Sequence, residues 1–527
     1  MESDSCARAR EPVVLSLSGP GERVMERTQS EMQRDASALL SASPSVSIAR
    51  RGADLVLTTR LGLAAAPEVR ELVVRDRRQA HVYRARPLHL VRLQSLIGVK
   101  YPVHLAFDPT PPLGLTPHTP STPRPYQDAA LAAWEGADRR GVVVLPTGAG
   151  KTLVAALAIA RAGTRALVLV PTIDLCHQMR QEFIAALGVP EEAVGIVCAG
   201  DREWDRPIVV STYDSAAATL GRVSDFGLLV ADEVHHLPAP GYRAIAEAAT
   251  APYRLGLSAT LARSDGREAD LDALIGPVVS TERPETLSAE GYLAPYQVLT
   301  LRVDLSPAER AAYERDMALY LDYRAQAGGA GMDAGTFLME TRKKSVFDRD
   351  ARAAMLAYQR ARTLALTSQA KTELLETLLI RHRAERCLVF AEHVEAVEAV
   401  GRAYLLPTIT GRTPAAERAA LTADFAQGRI TKIAVSRVWN EGVNVPAASV
   451  AIMMAGTGME RDAIQRLGRV LRPAPGKRAV LYELVARETA EEGISARRGL
   501  RRIGQATGQP AHRPGTNDAA PLAGRRG

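Results

Sequence analysis

The stretch GVVVLPTGAGKTLVAALAIARA, Gly141–Ala162, joins an apolar run to an alanine-rich run through a turn with two glycines. The β-branched first part predicts a buried strand, and the alanine-rich second part predicts a helix. The turn ends in GKT (150–152), as in the phosphate-binding pattern G-x-x-x-x-G-K-[ST], although Leu145 stands where the first glycine belongs. Gly148 and Gly150 let backbone N–H groups turn toward phosphate oxygens at the start of the helix. The stretch therefore predicts a nucleotide site.

A later apolar run, LLVADEVHH, ends in two neighbouring acids, Asp232 and Glu233. At such a strand end the first acid holds magnesium, and its neighbour polarises the water that attacks the γ-phosphate. Lys151 would reach the β- and γ-phosphates, and Thr152 would join Asp232 as a magnesium ligand. The pattern predicts hydrolysis of ATP with Mg²⁺ as cofactor. The loop residues predicted to bind the nucleotide are Thr147, Gly148, Ala149, Gly150, Lys151 and Thr152.

Composition limits the class of protein. The chain of 527 residues is too long for one ordinary core, and its 46% hydrophobic and 24% charged residues are typical of globular domains. No apolar run approaches the ~18 residues of a membrane span, and the N-terminus lacks an apolar signal core. The four cysteines are scattered without a C-x-x-C pair, which argues against a zinc or iron–sulfur site. These features predict a reduced, cytoplasmic protein with no membrane contact.

The net charge is concentrated at the C-terminus. The formal charge is +7, and residues 496–527 hold seven arginines against one acid. The basic balance therefore does not diagnose a nucleic-acid-binding body. The tail either keeps the protein soluble or adds nonspecific affinity for DNA.

Changes in residue pattern divide the chain into segments. From Val46 to about Leu115, alternating runs predict a small β-rich domain with a helix, and a proline-dense linker, 108–125, follows. Two later blocks alternate β-branched runs with alanine-rich helices, which predicts two α/β domains whose parallel sheets are covered on both faces. The charged helical stretch between them either faces solvent or binds nucleic acid. The predicted segments are 1–40 (mobile), 41–115 (β-rich), 116–285 (first α/β domain, ATP-binding), 286–369 (connection with the helical insertion), 370–490 (second α/β domain) and 491–527 (basic disordered tail).

Further motifs precede, separate and follow the loop and the acids in a fixed order. They are RPYQ, LVPTIDLCHQ, VSTYDSA, GLSAT, CLVFAEH, ITGRTP, SRVWNEGVNVP and QRLGRVLRP. With this series the chain resembles the superfamily 2 helicases, and it is most similar to the XPB-type branch of DNA repair helicases. It is also similar to the motor subunits of restriction systems. The resemblance covers about 120–285 and 370–485 and implies two RecA-like parallel-sheet domains in tandem.

The resemblance implies that catalysis needs both domains. Arg469 and Arg472 match the arginine fingers in the family pattern Q-x-x-G-R-x-x-R. Such fingers neutralise transition-state charge and are worth ~10³–10⁵ in rate, because the guanidinium fork makes paired hydrogen bonds to phosphate. Gln465 and His235 would sense closure of the cleft between the domains. Hydrolysis is therefore expected to require that closure.

The remaining site residues are also implied by the resemblance. Those for adenine and ribose are Arg124, Gln127, Gly442 and Asn444. Those for the nucleic-acid track are Pro171, Thr172, Ser211, Thr212, Tyr213, Thr410 and Ser436. Those that couple the ATP site to the track are His235, Ser258, Ala259 and Thr260. The track hydroxyls have an open alternative, because the same geometry caps a helix or a turn.

Several positions depart from the family pattern. XPB-type proteins carry an Arg-Glu-Asp element after GLSAT, whereas this chain has Arg263-Ser264-Asp265. Asn440 and Asn444 stand where acids are usual in the family, and Trp439 replaces a smaller apolar residue. The first departure puts strand opening in question, and the two amides would weaken charge coupling to the arginine fingers.

The sequence as a whole predicts an ATP-dependent DNA helicase or translocase that moves 3′→5′, acting as a monomer. The alternatives are the motor subunit of a restriction or phage-defence complex, an RNA helicase, or an ATP-driven clamp that never separates strands. None of the seven lysines has an acid two residues before it, which argues against a built-in restriction-type nuclease. A separate nuclease or repair protein remains a possible partner.

Overall fold

The computed structural model describes residues 45–52, 54–63, 66–118, 121–261, 266–391, 393–436, 448–454 and 478–498. These residues belong to two compact units. The smaller unit contains the residues up to Arg51 together with Leu55–Ala85 and Arg92–Phe107. The larger unit contains Gly52–Asp54, Arg86–Val91 and everything from Asp108 onward. None of the described helices is both long and apolar enough to cross a membrane.

The smaller unit is a mixed five-stranded sheet, in the order β3-β4-β2-β1-β5. Strands β1 and β5 are parallel, whereas β4 is antiparallel to both β2 and β3. Alternate side chains of β1 and β2 are buried, as the period of two in their sequences predicts. The predicted small β-rich domain is confirmed. Its elements are β1 Val46–Arg51, β2 Asp54–Thr58, α1 Pro67–Arg70, β3 Val73–Arg75, β4 Val82–Ala85, α2 Leu90–Gly98 and β5 Val103–Leu105.

The larger unit begins with a seven-stranded sheet, in the order β12-β6-β11-β10-β7-β9-β8. Every paired strand in it is parallel to its neighbour. Its central strands are buried along their whole length, because helices cover both faces. The strands are β6 Arg140–Val144, β7 Ala166–Val170, β8 Val194–Val197, β9 Ile208–Thr212, β10 Leu228–Asp232, β11 Tyr253–Ser258 and β12 Val278–Thr281.

Two separate hydrophobic clusters form the two faces of this sheet. Val143, Val168 and Val210 point into one cluster, and their neighbours Val142 and Leu167 point into the other. A strand turns successive side chains to opposite faces, so one apolar run supplies both clusters. The helices are α3 Pro125–Gly136, α4 Lys151–Ala162, α5 Ile173–Leu187, α6 Tyr213–Ala218, α7 Leu220–Val223, α8 Pro240–Ala248, α9 Asp270–Leu274 and α10 Pro284–Ala289.

A second parallel sheet has six strands, in the order β13-β18-β17-β14-β16-β15. All five pairs of neighbouring strands in this described sheet are parallel, as in the first sheet. The two α/β domains predicted from the alternating texture are therefore confirmed. Its strands are β13 Tyr296–Val303, β14 Cys387–Phe390, β15 Thr408–Ile409, β16 Lys432–Val435, β17 Val450–Met453 and β18 Ala479–Ala486. Its helices are α14 Gln369–Arg381, α15 Val394–Tyr404, α16 Ala415–Gln427 and α17 Ala490–Arg498.

The charged stretch after β13 is helical, as predicted. It forms α11 Pro307–Gln326, α12 Ala334–Lys344 and α13 Arg349–Leu366. Ser306 and Glu309 start the first helix with a reciprocal capping box. The proline-dense stretch before the first domain packs against that domain, since Leu113 N–H donates to the Gly163 carbonyl at 3.0 Å.

Candidate active site

The phosphate-binding loop lies between the end of β6 and the start of α4. Leu145 is fully buried, and its N–H donates to the Ser258 carbonyl at 2.9 Å. It therefore extends the strand and needs no glycine. The left-handed backbone occurs later in the loop, at Gly148 and Gly150, whose φ angles are 87° and 81°. A Cβ at Gly150 would lie 2.5 Å from Gln127 Nε2, so this glycine is required by both its backbone and its neighbour.

Lys151 opens α4 and forms an ion pair with the predicted catalytic acid. Its Nζ donates to Glu233 Oε1 at 2.9 Å, and both side chains are 12% exposed. Burial alone would raise the pKa of Glu233, but the charges of Lys151 and then His235 outweigh it and lower that pKa to about 2. Glu233 is therefore an anion at neutral pH, as a group that orients and deprotonates water must be.

Glu233 has an unusual backbone. Its φ and ψ are 48° and 52°, the left-handed region that a side chain with a Cβ rarely enters. Strand β10 ends at Asp232, and a short 3₁₀ turn, Val234–His236, follows Glu233. The sharp turn at Glu233 places the carboxylates of Asp232 and Glu233 near the Lys151 ammonium. Backbone strain of this kind is usually held in place by a functional site.

Asp232 fits a magnesium ligand. It is 6% exposed, and its Oδ1 is buried without a hydrogen-bond partner among the described residues. Burial raises the pKa of this carboxyl to about 7, opposed by the Lys151 charge. A buried acceptor oxygen that lacks a donor suits a cation. No group of three or more His, Cys, Asp or Glu side chains that could hold a metal ion occurs in the described part of the chain.

The end of β11 lies between the loop strand and the acid strand, because β6 and β10 are its two neighbours in the sheet. Ser258, the last residue of β11, places its hydroxyl 3.1 Å from His235 Nδ1 and 3.4 Å from Glu233 Oε2. The same hydroxyl donates to the Thr260 carbonyl at 2.5 Å. Of the predicted coupling residues, His235 and Ser258 therefore contact the predicted catalytic acid, and Thr260 is linked to it through Ser258. Ala259 lies between Ser258 and Thr260 in the sequence.

Tyr126 and Gln127 of the RPYQ segment form hydrogen bonds to the backbone of the loop. Gln127 is buried, accepts from Arg124 N–H at 2.9 Å and donates to the Ala149 carbonyl at 2.9 Å. Its amide is thus engaged at both ends with the protein, and adenine recognition by Gln127 stays a prediction. Tyr126 also donates to the Ala149 carbonyl, at 2.7 Å. The Arg124 guanidinium lies 5.7 Å from the centre of the Tyr292 ring.

The hydroxyls predicted to contact the track form hydrogen bonds within the fold, except that of Ser436, which is buried without a partner among the described residues. Thr172 caps α5 by accepting from Leu175 N–H at 3.3 Å, and Thr212 caps α6 by accepting from Ser215 N–H at 3.2 Å. Ser211 donates to the Val197 carbonyl at 3.1 Å. The remaining candidates are Thr410, which accepts from Arg412 N–H; Ser436, which is buried; Tyr213, which donates to the Asp232 carbonyl; and Pro171, which is half-buried. Their role on the track stays a prediction.

Part of the predicted site lies outside the described residues. This part includes the arginine fingers Arg469 and Arg472, the residue Gln465, and the ribose contacts Gly442 and Asn444. The departures at Asn440, Trp439 and 263–265 also lie outside them. These assignments stay predictions.

Two groups near the site were not predicted from the sequence. Tyr126 and Tyr292 meet edge to face, with ring centres 5.1 Å apart, beside the loop. Asp174 of α5 and Arg418 of α16 form an ion pair between the two α/β domains, with Oδ2 and Nη1 3.2 Å apart. Tyr126 could have been found inside RPYQ. Its partner Tyr292 lies too far away in the sequence to be predicted from a local pattern, and the same holds for the pair Asp174 and Arg418.

Two family models match the chain. The model of the res subunit of type III restriction enzymes matches residues 121–263, and the model of the ERCC3/RAD25/XPB C-terminal helicase matches residues 354–506. Among solved structures, the Pyrococcus furiosus Hef helicase domain is similar, with a TM-score of 0.47 and 18% identity over 71% of this chain and 97% of that chain.

Curated relatives align with about seven tenths of the chain. It is 36% identical over 378 residues to the DNA 3'-5' translocase XPB2 of Sulfurisphaera tokodaii, covering 71% of this chain and 84% of that protein. It is 34% identical over 387 residues to the DNA 3'-5' helicase XPB of Mycobacterium tuberculosis, covering 71% of this chain and 62% of that protein. The match to the general transcription and DNA repair factor IIH helicase/translocase subunit XPB/SSL2 of Saccharomyces cerevisiae is 30% identical and covers 43% of that protein.

Proposed function

The chain belongs to the XPB family of DNA helicases, and we propose that it is an ATP-driven motor that moves 3′→5′ along DNA. The observation that carries the proposal is the cluster at the carboxyl edge of the first parallel sheet. There Lys151, Glu233 and Ser258 join a phosphate-binding loop to a catalytic acid and to the strand between them. Polarity and the DNA substrate come from the named relatives, the Sulfurisphaera translocase and the mycobacterial helicase.

The chemistry proposed for the site begins with an exchange of partners. In the structure the Lys151 ammonium is paired with Glu233. When ATP enters, its phosphates take over the ammonium, and Glu233 is left free to accept a hydrogen bond from the attacking water. The low pKa of Glu233 keeps it ionised for that role, although the departure of Lys151 raises the pKa toward its ordinary range. Binding of substrate thereby activates the base.

Magnesium has a place in this proposal. Asp232 and Thr152 would hold the ion, which would neutralise negative charge that develops on the phosphates during transfer. The arginine fingers Arg469 and Arg472 would complete the site from the second domain, on the strength of the family pattern. Cleft closure would therefore be required before hydrolysis.

We propose that Ser258 couples closure of the cleft to the residues that hold the track. Its hydroxyl contacts His235 and lies near Glu233, so a shift of the acid changes the hydrogen bonds at the end of β11. The track residues lie at the carboxyl ends of neighbouring strands, since Thr172 follows β7 and Thr212 ends β9. Such residues hold nucleic acid mainly through phosphates, which makes binding independent of base sequence.

A second candidate is the motor subunit of a restriction or defence complex. The match to the res subunit model over residues 121–263 favours it. That match covers the ATP-binding domain alone, so the proposed chemistry is the same and only the partner differs. A partner nuclease would be needed for cleavage.

The direct test is ATP hydrolysis by the full chain with single-stranded DNA, duplex DNA and RNA, alongside displacement of strands from duplexes with a 3′ or a 5′ tail. We expect DNA to stimulate hydrolysis and the 3′-tailed duplex to be opened first. Glu233→Gln serves as the inactive control. Stimulation by RNA alone would overturn the DNA assignment, and DNA-stimulated hydrolysis without displacement would favour a translocase or clamp.

A further inference from the structure

An ion pair joins the two α/β domains beside residues predicted to hold the track. Asp174 lies in the first turn of α5, two residues after the capping Thr172. Arg418 lies near the start of α16, which follows a turn closed by Thr410 N–H donating to Thr413 Oγ1 at 3.0 Å. The 3.2 Å contact between Asp174 Oδ2 and Arg418 Nη1 thus connects the predicted track contacts of one domain with those of the other.

The pairing of Arg418 is incomplete. Its side chain is 23% exposed, and its Nε is buried without a hydrogen-bond partner among the described residues. A guanidinium has five N–H donors in a fork that matches two oxygens of one anion. The ion pair with Asp174 uses Nη1, so the Nε donor remains without an acceptor among the described residues. Because a buried donor without an acceptor is costly, the site favours an anion with more oxygens than Asp174 presents to it.

We propose that Arg418 is a phosphate ligand of the DNA track and that Asp174 occupies it while DNA is absent. The inference rests on the proposed function, because it assigns one contact to the DNA that the motor would follow. Carboxylate and phosphate offer similar acceptor oxygens to a guanidinium, so one anion replaces the other and the cation is never left unpaired. Asp174 is then an internal stand-in for a backbone phosphate.

The two members of the pair act in opposite directions on DNA binding. Arg418 attracts a phosphate, and Asp174 both competes for Arg418 and repels the phosphate through its own charge. The Asp174 carboxylate is 45% exposed, so it is accessible to DNA and to salt. Asp174 therefore weakens binding in the free protein, and the inference predicts a gain of affinity when its charge is removed.

The test measures the affinity of the full chain for a labelled oligothymidine at several salt concentrations without nucleotide. For Asp174→Asn we expect affinity to rise roughly two- to fivefold, the range for an exposed ion pair. For Arg418→Ala we expect affinity to fall and the slope of log affinity against log salt to decrease by about 0.7, the value for one lost contact to single-stranded DNA. Arg418→Lys should retain the slope. In the double variant, the gain from Asp174→Asn should vanish.

The same helix supplies a matched control. Arg180 of α5 pairs with Glu191 at 3.4 Å, is 20% exposed, and also has a buried Nε without a partner among the described residues. Glu191→Gln removes the same unit of charge as Asp174→Asn and should leave affinity within twofold. Equal gains from Glu191→Gln and Asp174→Asn would overturn the inference while leaving the motor proposal intact. A wild-type chain without DNA binding or DNA-stimulated ATP hydrolysis would overturn both.

Discussion

Two ion pairs in this protein each hold a cation suited to phosphate, and they differ in burial. Lys151 and Glu233 are 2.9 Å apart inside the first α/β domain, and both side chains are 12% exposed. Arg418 and Asp174 are 3.2 Å apart between the two α/β domains, with exposures of 23% and 45%. The first pair lies in a medium that strengthens charge interactions, whereas water and salt weaken the second.

The difference teaches how each site can respond to its ligand. A buried pair that loses one partner leaves an uncompensated charge, so Lys151 can leave Glu233 only when another anion arrives. A half-exposed pair can open into water at little cost. The ATP site is therefore built to exchange partners in one concerted step, whereas the contact between the domains can open and close freely.

The largest expected effect is on the acid of the buried pair. Glu233→Gln keeps the shape of the side chain and a hydrogen-bonding oxygen but removes the base, so hydrolysis should fall by ~10²–10⁴. ATP binding should persist, because the Lys151 ammonium is retained for the phosphates. Single-turnover hydrolysis and the affinity for a fluorescent nucleotide separate the two effects. A loss of less than tenfold would mean that another group activates the water.

Removing the cation tests the cost of burial. Lys151→Met removes the main countercharge of the buried Glu233 carboxylate, and we expect the free energy of unfolding of the first α/β domain to fall by about 3–5 kcal/mol. The double variant Lys151→Met/Glu233→Gln should recover most of that loss, although neither protein hydrolyses ATP. Denaturant unfolding followed by circular dichroism measures the difference. Equal stability of the single variant and the wild type would show that water already screens this pair.

The fold and the strand–loop–helix setting of the predicted ATP site could be predicted from the sequence because local patterns determine them. The apolar run before Asp232 marked a strand, and the glycines of the loop marked a turn that a Cβ would obstruct. The partners that these side chains adopt without ligand could not be predicted. Motif spacing relates each residue to its ligand, so nothing in the sequence indicated that Lys151 pairs with Glu233.

The contacts between the domains were unpredictable for a different reason. Asp174 and Arg418 lie on helices of separate α/β domains, and only the packing of the two domains brings them together. The hydroxyl of Thr172 illustrates a third case, since capping a helix and binding a phosphate use the same geometry and the same residue type. The arginine fingers Arg469 and Arg472 stay predictions from the family pattern.

A smaller effect is expected at the hydroxyl that links Glu233 to its surroundings. Ser258→Ala removes the contact to His235, and one hydrogen bond contributes ~0.5–1.5 kcal/mol. We therefore expect the stimulation of hydrolysis by DNA to fall roughly two- to tenfold. The measurement is the ratio of ATPase rates with and without single-stranded DNA. Glu191→Gln serves as the control, and an unchanged ratio for Ser258→Ala would remove this hydroxyl from the proposed transmission.

The cap of α5 is expected to contribute about 1 kcal/mol. Thr172→Ala removes the acceptor for Leu175 N–H and should destabilise the helix start by that amount, whereas Thr172→Asp should retain the cap. Thr172→Asp also adds a negative charge where the track phosphate is expected, so it should weaken DNA binding despite normal stability. Thermal unfolding and DNA affinity are measured on both variants. DNA affinity that follows stability alone would indicate a cap without a track contact.

The smallest expected effect is on the stability contribution of the exposed pair. Arg418→Ala should change the free energy of unfolding by no more than about 1 kcal/mol, because water screens the charges and the free side chains regain conformational freedom. The change should shrink further at 1 M salt, where the screening length is about 3 Å. Measuring Lys151→Met under the same conditions compares the contributions of the buried and the exposed pair to the free energy of unfolding. If Arg418→Ala lowered the free energy of unfolding as much as Lys151→Met does, both pairs would be stabilising to the same degree. That result would contradict the conclusion that the contact between the domains opens and closes freely.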